Sequence, residues 1–180
     1  MEADRFMRER VLGLVPQQHP FRFIDDILEL DEERIVGVYR FRNDEYFYRG
    51  HFPGLPVTPG VILIETMAQT GVVALGLYLT LLAGKGGGEA DRQVTLFTLA
   101  ENVEFSGVVR PGDLVMVTGR RVYFRGNQLK VQVSMTRGVN EEVCSGVLAG
   151  KGVPQETFSR QLERQTGYGR PDPAREGARA

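Results

Sequence analysis

Apolar residues fall into alternating runs, then one long unbroken stretch, then alternating runs again. Residues 3–14 pattern as a short amphipathic helix ended by Pro16. FRFIDDILEL from Phe21 to Leu30 and RIVGVYRFR from Arg34 to Arg42 predict strands, with the acidic DEE at 31–33 as the turn between them. The second run alternates apart from the adjacent Ile35 and Val36, and it places Val38 and Phe41 inward or edge-on. NDEYFYRGHFPGLPVT is too rich in proline and aromatic residues for regular structure. A helix is predicted from about Gly60 to Leu82, entered at Pro59, whose fixed φ suits a first turn, and ended by the glycines at 84 and 86–88. Four more strands start at Val94, Leu114, Leu129 and Glu142, separated by the turns RPGD, RGN and GVN. Residues 1–154 therefore form one expected domain. The polar tail 155–180 is expected to be partly disordered or a short helix.

One helix cannot cover both faces of a six-stranded sheet. The order strand–strand–helix–four strands thus predicts an α+β fold, a curved antiparallel sheet wrapped around one long central apolar helix. Such a sheet keeps an open edge that invites pairing with a second copy. From Thr66 to Gly84 no residue carries a formal charge, a stretch long enough to span a bilayer. It also holds Thr66, Gln69, Thr70, Tyr78 and Thr80 and sits among soluble-patterned strands, so a buried core helix is the expectation and no membrane is implied.

Composition narrows the function classes. At 180 residues, 42% apolar and 25% charged, the chain suits a globular domain of ordinary core size. A net charge of -1 with mixed signs gives no electrostatic case for nucleic acid. One cysteine and two histidines make a zinc cluster improbable, and no metal or other cofactor is expected. The N-terminus MEADRFMRERVLGLV has no continuous apolar segment of the secretory kind, which makes the cytoplasm the default location.

The candidate chemistry lies in GHFPGLPVTPGVILIETMAQ, where His51 and Glu65 flank a proline-stiffened turn in an otherwise apolar run. Taken alone, His51 reads more readily as a hydrogen-bonded structural residue and Glu65 as a complement to the helix dipole. This stretch resembles the active-site signature of the FabZ-type 3-hydroxyacyl-[acyl-carrier-protein] dehydratases of the FabA/FabZ superfamily. Upstream PFRFID and downstream ENVEF and VVRPGD match in the same order, over roughly residues 12–150. Glu65 stands where the FabA branch carries aspartate, and the chain has no tryptophan, so the FabZ branch is the nearer.

The resemblance implies the hotdog fold and a homodimer, in some members a trimer of dimers, with active sites at the dimer interface. It also implies conversion of (3R)-3-hydroxyacyl-[acyl-carrier protein] to the trans-2-enoyl product, in fatty-acid or related polyketide-like biosynthesis. That chemistry needs a base for the carbon-2 proton, an acid for the departing hydroxyl and a holder for the enolate-like oxygen. His51 suits the base, since imidazole titrates near neutrality. Glu65 suits the acid, its pKa expected to be raised by an apolar helix, acting with His51 of the other protomer. Backbone N–H groups near Gly60 and Val61 suit the third role, and Pro53, Pro56 and Pro59 stiffen the turn. Gln69, one turn on from Glu65, could orient the carboxylate or satisfy a nearby backbone group. Phe97, Leu99 and Phe105 are compatible with plain core, and in the family this strand helps line the acyl tunnel.

Other features read as structure. His19 is expected to be structural, AGKGGGEAD at 83–91 a flexible connection without phosphate-loop order, and Cys144 a small buried residue. Where the family usually has a basic pair before the proline-glycine-aspartate turn, this chain has Ser106 and Gly107, with Arg110 displaced; Gln18 replaces a basic residue upstream. These departures leave the identity of the carrier protein open. An acyl thioesterase and a non-catalytic acyl-thioester-binding subunit remain alternative readings of the same fold.

Overall fold

The computed structural model describes residues 2–84, 93–138 and 141–166. Most of the expected glycine-rich connection, the tip of the GVN turn and the end of the polar tail therefore lie outside the described residues. Helix α1 (Arg5–Leu14) starts where Asp4 Oδ1 accepts from the Met7 N–H at 2.8 Å, satisfying one of the orphan donors of the first turn. Strands β1 (Asp26–Leu30) and β2 (Arg34–Arg40) form a hairpin, and a short 3₁₀ turn at Tyr46–Arg49 opens the irregular segment. Helix α2 runs from Gly60 to Leu82, α-helical to Ala68, π-helical over Gln69–Ala74, then α-helical again. Strands β3 (Gln93–Phe105), β4 (Leu114–Arg125), β5 (Gln128–Arg137) and β6 (Glu141–Pro154) follow, and the tail continues as helix α3 (Gln155–Thr166).

The six strands form one antiparallel sheet in the order β1-β2-β4-β5-β6-β3. The β4–β5 turn uses Gly126 and Asn127, both with positive φ (58° and 62°), the backbone that two-residue hairpins favour. Strands from most of the sheet's width meet the same stretch of α2. A Cβ at Gly37 of β2 would lie 2.8 Å from Thr70, one at Gly119 of β4 would lie 3.0 Å from the Gly71 Cα, and one at Gly150 of β6 would lie 2.7 Å from Val72. The sheet therefore curves around the helix, and these glycines let the two backbones approach.

The core is the lining of this wrap: Met67, Val72, Ala74 and Leu75 of α2 against Ile35, Val117, Val131, Val133 and Leu148 of the sheet. Each of these side chains other than Ala74, fully buried, contributes roughly 1.5–3 kcal/mol. In the most apolar window of α2, 72% is buried, which fits a core helix. Cys144 is buried as expected, and burial, with Glu142 nearby, pushes its thiol up to about 11.

Three expectations need correction. The first strand begins at Asp26 rather than Phe21, because the Phe21 carbonyl and the Phe23 N–H take their hydrogen bonds from a side chain described below. Val38 is half-buried rather than inward: Gly37 faces Thr70, so the side chain of Val38 lies on the opposite face of the strand from the helix, whereas Phe41 is buried. Phe97 and Phe105 are exposed (48% and 52%) and Leu99 half-buried, so they are not core of this chain; register shifts between Phe97 and Leu99 and between Glu101 and Glu104 break the alternation that suggested it.

The glycine seam yields a paired prediction. Gly119→Ala forces a Cβ onto the Gly71 backbone and Ile35 and should lower stability by about 1–3 kcal/mol in urea denaturation. Gly13→Ala, in the middle of no contact at all on α1, should instead raise it by about 0.5–1 kcal/mol.

Candidate active site

His51 leaves the 3₁₀ turn on a loop whose hydrogen bonds are largely its own. Its N–H donates to the Phe47 carbonyl at 3.0 Å and its carbonyl accepts from the Val57 N–H at 2.9 Å. Its ring Nδ1 lies 2.8 Å from the Val57 carbonyl. A carbonyl oxygen can only accept, so Nδ1 carries the proton in this bond and Nε2 of the neutral ring is left bare. The ring, half-buried, stacks on Phe52 at 4.1 Å between centroids.

Upstream, the loop is anchored by a buried polar cluster. Glu45, 5% exposed, accepts at 2.5 Å from the Tyr39 hydroxyl and at 3.2 Å from the Arg42 N–H, while Arg42 reaches Asp25 at 3.1 Å. Burial, followed by Glu45, pushes the Tyr39 hydroxyl far up, which keeps it a donor to the carboxylate. Downstream, the Thr58 N–H donates to the Val109 carbonyl at 2.9 Å.

The loop feeds into α2 at Pro59. The Ile62 and Leu63 N–H groups both donate to the Pro59 carbonyl, whereas those of Gly60 and Val61 have no acceptor among the described residues. The Phe105 ring lies over this end: a Cβ on Gly60 would lie 3.0 Å from it, so a larger residue there would press on the ring.

Glu65 follows one turn on, half-buried, with its Oε1 accepting from Gln69 Nε2 at 2.9 Å. Burial pushes the Glu65 carboxyl up from its ordinary 4.5, and the Gln69 hydrogen bond pulls it part of the way back. Gln69 itself is fully buried where the π-helical turn begins. Its Oε1 accepts from the Phe23 N–H at 2.6 Å and its Nε2 also donates to the Phe21 carbonyl at 2.8 Å. The amide thus stands in for a neighbouring strand along residues 21–23 and orients Glu65 as well, so both alternatives raised for it hold together.

The structure brings Glu65 to Gln69, and Phe105 to Gly60. No hydrogen bond or ion pair joins His51 to Glu65 within one chain among the described residues, and Phe97 and Leu99 lie along edge strand β3. His19 is exposed, and its ring makes no hydrogen bond among the described residues. Sequence reasoning missed the Val57 carbonyl and Glu45. A backbone carbonyl leaves no signal in the sequence, and Glu45 was hidden in the polar stretch NDEY.

The family profile described as FabA-like domain matches residues 15–144. The chain belongs to the FabA-like family. A protein of Caldicellulosiruptor bescii named 3-hydroxyacyl-[acyl-carrier-protein] dehydratase FabZ is 34% identical over 78% of this chain and 94% of its own length. One of the same name from Syntrophobacter fumaroxidans is 38% identical over 68% of this chain and 78% of its own. Among solved structures, the dehydratase heterocomplex ApeI:P of Xenorhabdus doucetiae superposes with TM-score 0.68 at 11% identity, covering 84% of this chain and 96% of that one. The fluoroacetyl-CoA thioesterase FlK superposes with TM-score 0.57 at 18% identity, covering 74% and 95%. Both show the hotdog fold and no more, and since they differ in chemistry the fold does not choose between them.

Two predictions follow from the helix. Because the folded-state pKa of Glu65 is raised, its contribution to stability is complete below about 4.5 and is lost as pH rises through the raised value. Glu65→Gln should therefore gain in melting temperature relative to the parent as pH goes from 4 to 7 (on the order of the titration range). An unchanged difference would show that Glu65 is not desolvated. Gln69→Leu, which strands the Phe21 carbonyl and Phe23 N–H, should cost at least about 2 kcal/mol in denaturant unfolding.

Proposed function

We propose that this chain dehydrates 3-hydroxyacyl groups carried as phosphopantetheine thioesters on acyl carrier protein, giving the trans-2-enoyl thioester and water. The observation that carries the mechanism is the Nδ1 bond to the Val57 carbonyl, which presents a bare Nε2 as base. The names of the FabZ relatives supply the substrate class.

Nε2 of His51 takes the carbon-2 proton, and the electron pair left behind moves into the thioester carbonyl as enolate. The free N–H groups of Gly60 and Val61, at the positive end of α2, hold that oxygen. Collapse of the enolate forms the carbon-2–carbon-3 double bond and expels the hydroxyl, which takes a proton from Glu65 and leaves as water. A raised pKa keeps that proton on Glu65 until it is needed. Transfer of the proton from His51 back to Glu65 through water resets both groups.

His51 and Glu65 of one chain are not joined, which supports a site completed by a second protomer. Edge strand β3, unpaired on one side and carrying exposed Leu96 and Phe97, supplies a surface for a homodimer. Phe97, Leu99 and Phe105 then become the lining for the acyl chain, and further assembly to a trimer of dimers is compatible with this pairing. The burial of α2 supports a soluble enzyme, for which the cytoplasm is the proposed location.

Incubation with 3-hydroxyacyl carrier protein and mass spectrometry of the product tests the reading. The expected result is loss of one water per acyl chain, with His51→Ala and Glu65→Gln each lowering kcat/KM by roughly 10²–10⁴-fold. Release of free thiol would show hydrolysis instead, and tight binding without turnover would show a binding subunit.

A further inference from the structure

The loop that carries His51 is exposed from Phe52 to Pro56, yet the ring must be aimed accurately, because displacement by about 1 Å can cost on the order of 10²-fold in rate. Its internal bonds run from Phe47 through His51 to Val57. Next in sequence to the two ends of this ladder, Phe47 and Val57, lie Tyr48 and Thr58. Both are buried, at 6% and 4% exposure, and their hydroxyls share a 2.7 Å hydrogen bond across ten positions of sequence. Each end is tied into the body of the protein: the Tyr48 N–H to the Glu45 carbonyl at 3.1 Å, with the Tyr48 ring on Phe47 at 4.7 Å, and the Thr58 N–H to Val109. Among the described residues this is the one side-chain to side-chain hydrogen bond joining the two stems of the loop.

We propose that Tyr48 and Thr58 are a positioning pair for His51. Their hydrogen bond holds the stems together, which keeps the Val57 carbonyl on Nδ1 and so keeps Nε2 the bare nitrogen. A hydroxyl pair buried at this depth is all-or-none: if one member is lost the other is left without a partner, at a cost that favours opening of the stem. Burial pushes the Tyr48 hydroxyl up to about 12, so it stays protonated and neutral across the working range of pH. Neither residue touches the reacting atoms; both act through the ring of His51.

The kinetic part of this inference rests on the proposed dehydratase reading, while its spectroscopic part does not. The chain has only two histidines, so a His19→Gln background leaves a single imidazole to observe by ¹⁵N NMR at a pH where the ring is neutral. The parent should show the Nδ1–H tautomer. Tyr48→Phe and Thr58→Val should each shift the signal toward a mixture with Nε2–H, Thr58→Ser should restore it, and Thr80→Val, which deletes a buried hydroxyl bond elsewhere on α2, should leave it unchanged. In the dehydration assay, both loop variants should lose roughly tenfold in kcat with KM within about twofold, and the double variant should be no worse than either single one. An unshifted tautomer in folded Tyr48→Phe and Thr58→Val protein would overturn the proposal, as would losses that multiply in the double variant. If the parent itself dehydrates nothing, the proposed function falls and the tautomer signal alone decides the role of the pair.

Discussion

Helix α2 is uncharged and mostly apolar from Thr66 onward, and such a helix is stable in water only if apolar surface surrounds it. The sheet must therefore curve, and curvature brings strand and helix backbones closer than side chains normally allow. Gly71 against Gly119, with Gly37 under Thr70 and Gly150 under Val72, is how the sequence meets that demand. Enclosure fixes the chemistry of the helix as well. A carboxyl placed near its start, Glu65, loses solvent along with the apolar residues around it, and its pKa moves up for that reason.

Enclosure also creates a polar debt, met by a single amide. The segment before β1 crosses the helix without a strand neighbour at Phe21 and Phe23, where unpaired backbone groups would be costly. Gln69 closes both hydrogen bonds and uses the remaining capacity of its NH₂ group on Glu65. One side chain therefore couples the chain entry to the candidate acid. The loop of His51 is ordered by a different device, a ladder through Phe47 and Val57 backed by Glu45 and Tyr39, and it needs no contact with the helix to aim its ring.

Much of this was legible in the sequence where the signal is local. The uncharged run after Glu65, bracketed by Pro59 and Gly84, marks α2 to its last residue, and RGN marks the β4–β5 turn through the positive φ of Gly126 and Asn127. What escaped depends on distant partners. The late start of β1 reflects Gln69, more than forty positions away. The exposure of Phe97 and Phe105 follows from bulges and from the place of β3 at the sheet edge, neither of which alternation can reveal. His51 and Glu65 stood out by type and spacing, but the Val57 carbonyl that selects the histidine tautomer has no sequence signature at all.

The proposed site is completed only when a second protomer brings its His51 to Glu65. Co-expression of His51→Ala and Glu65→Gln chains carrying different affinity tags, followed by purification through both tags, tests that claim most directly. Each variant alone is inactive under the proposed mechanism, but a mixed dimer contains one site with both native residues. Recovery of 3-hydroxyacyl dehydration in the doubly purified protein is the predicted result. Mixed dimers that form and remain as inactive as the parent variants would contradict a site shared between chains.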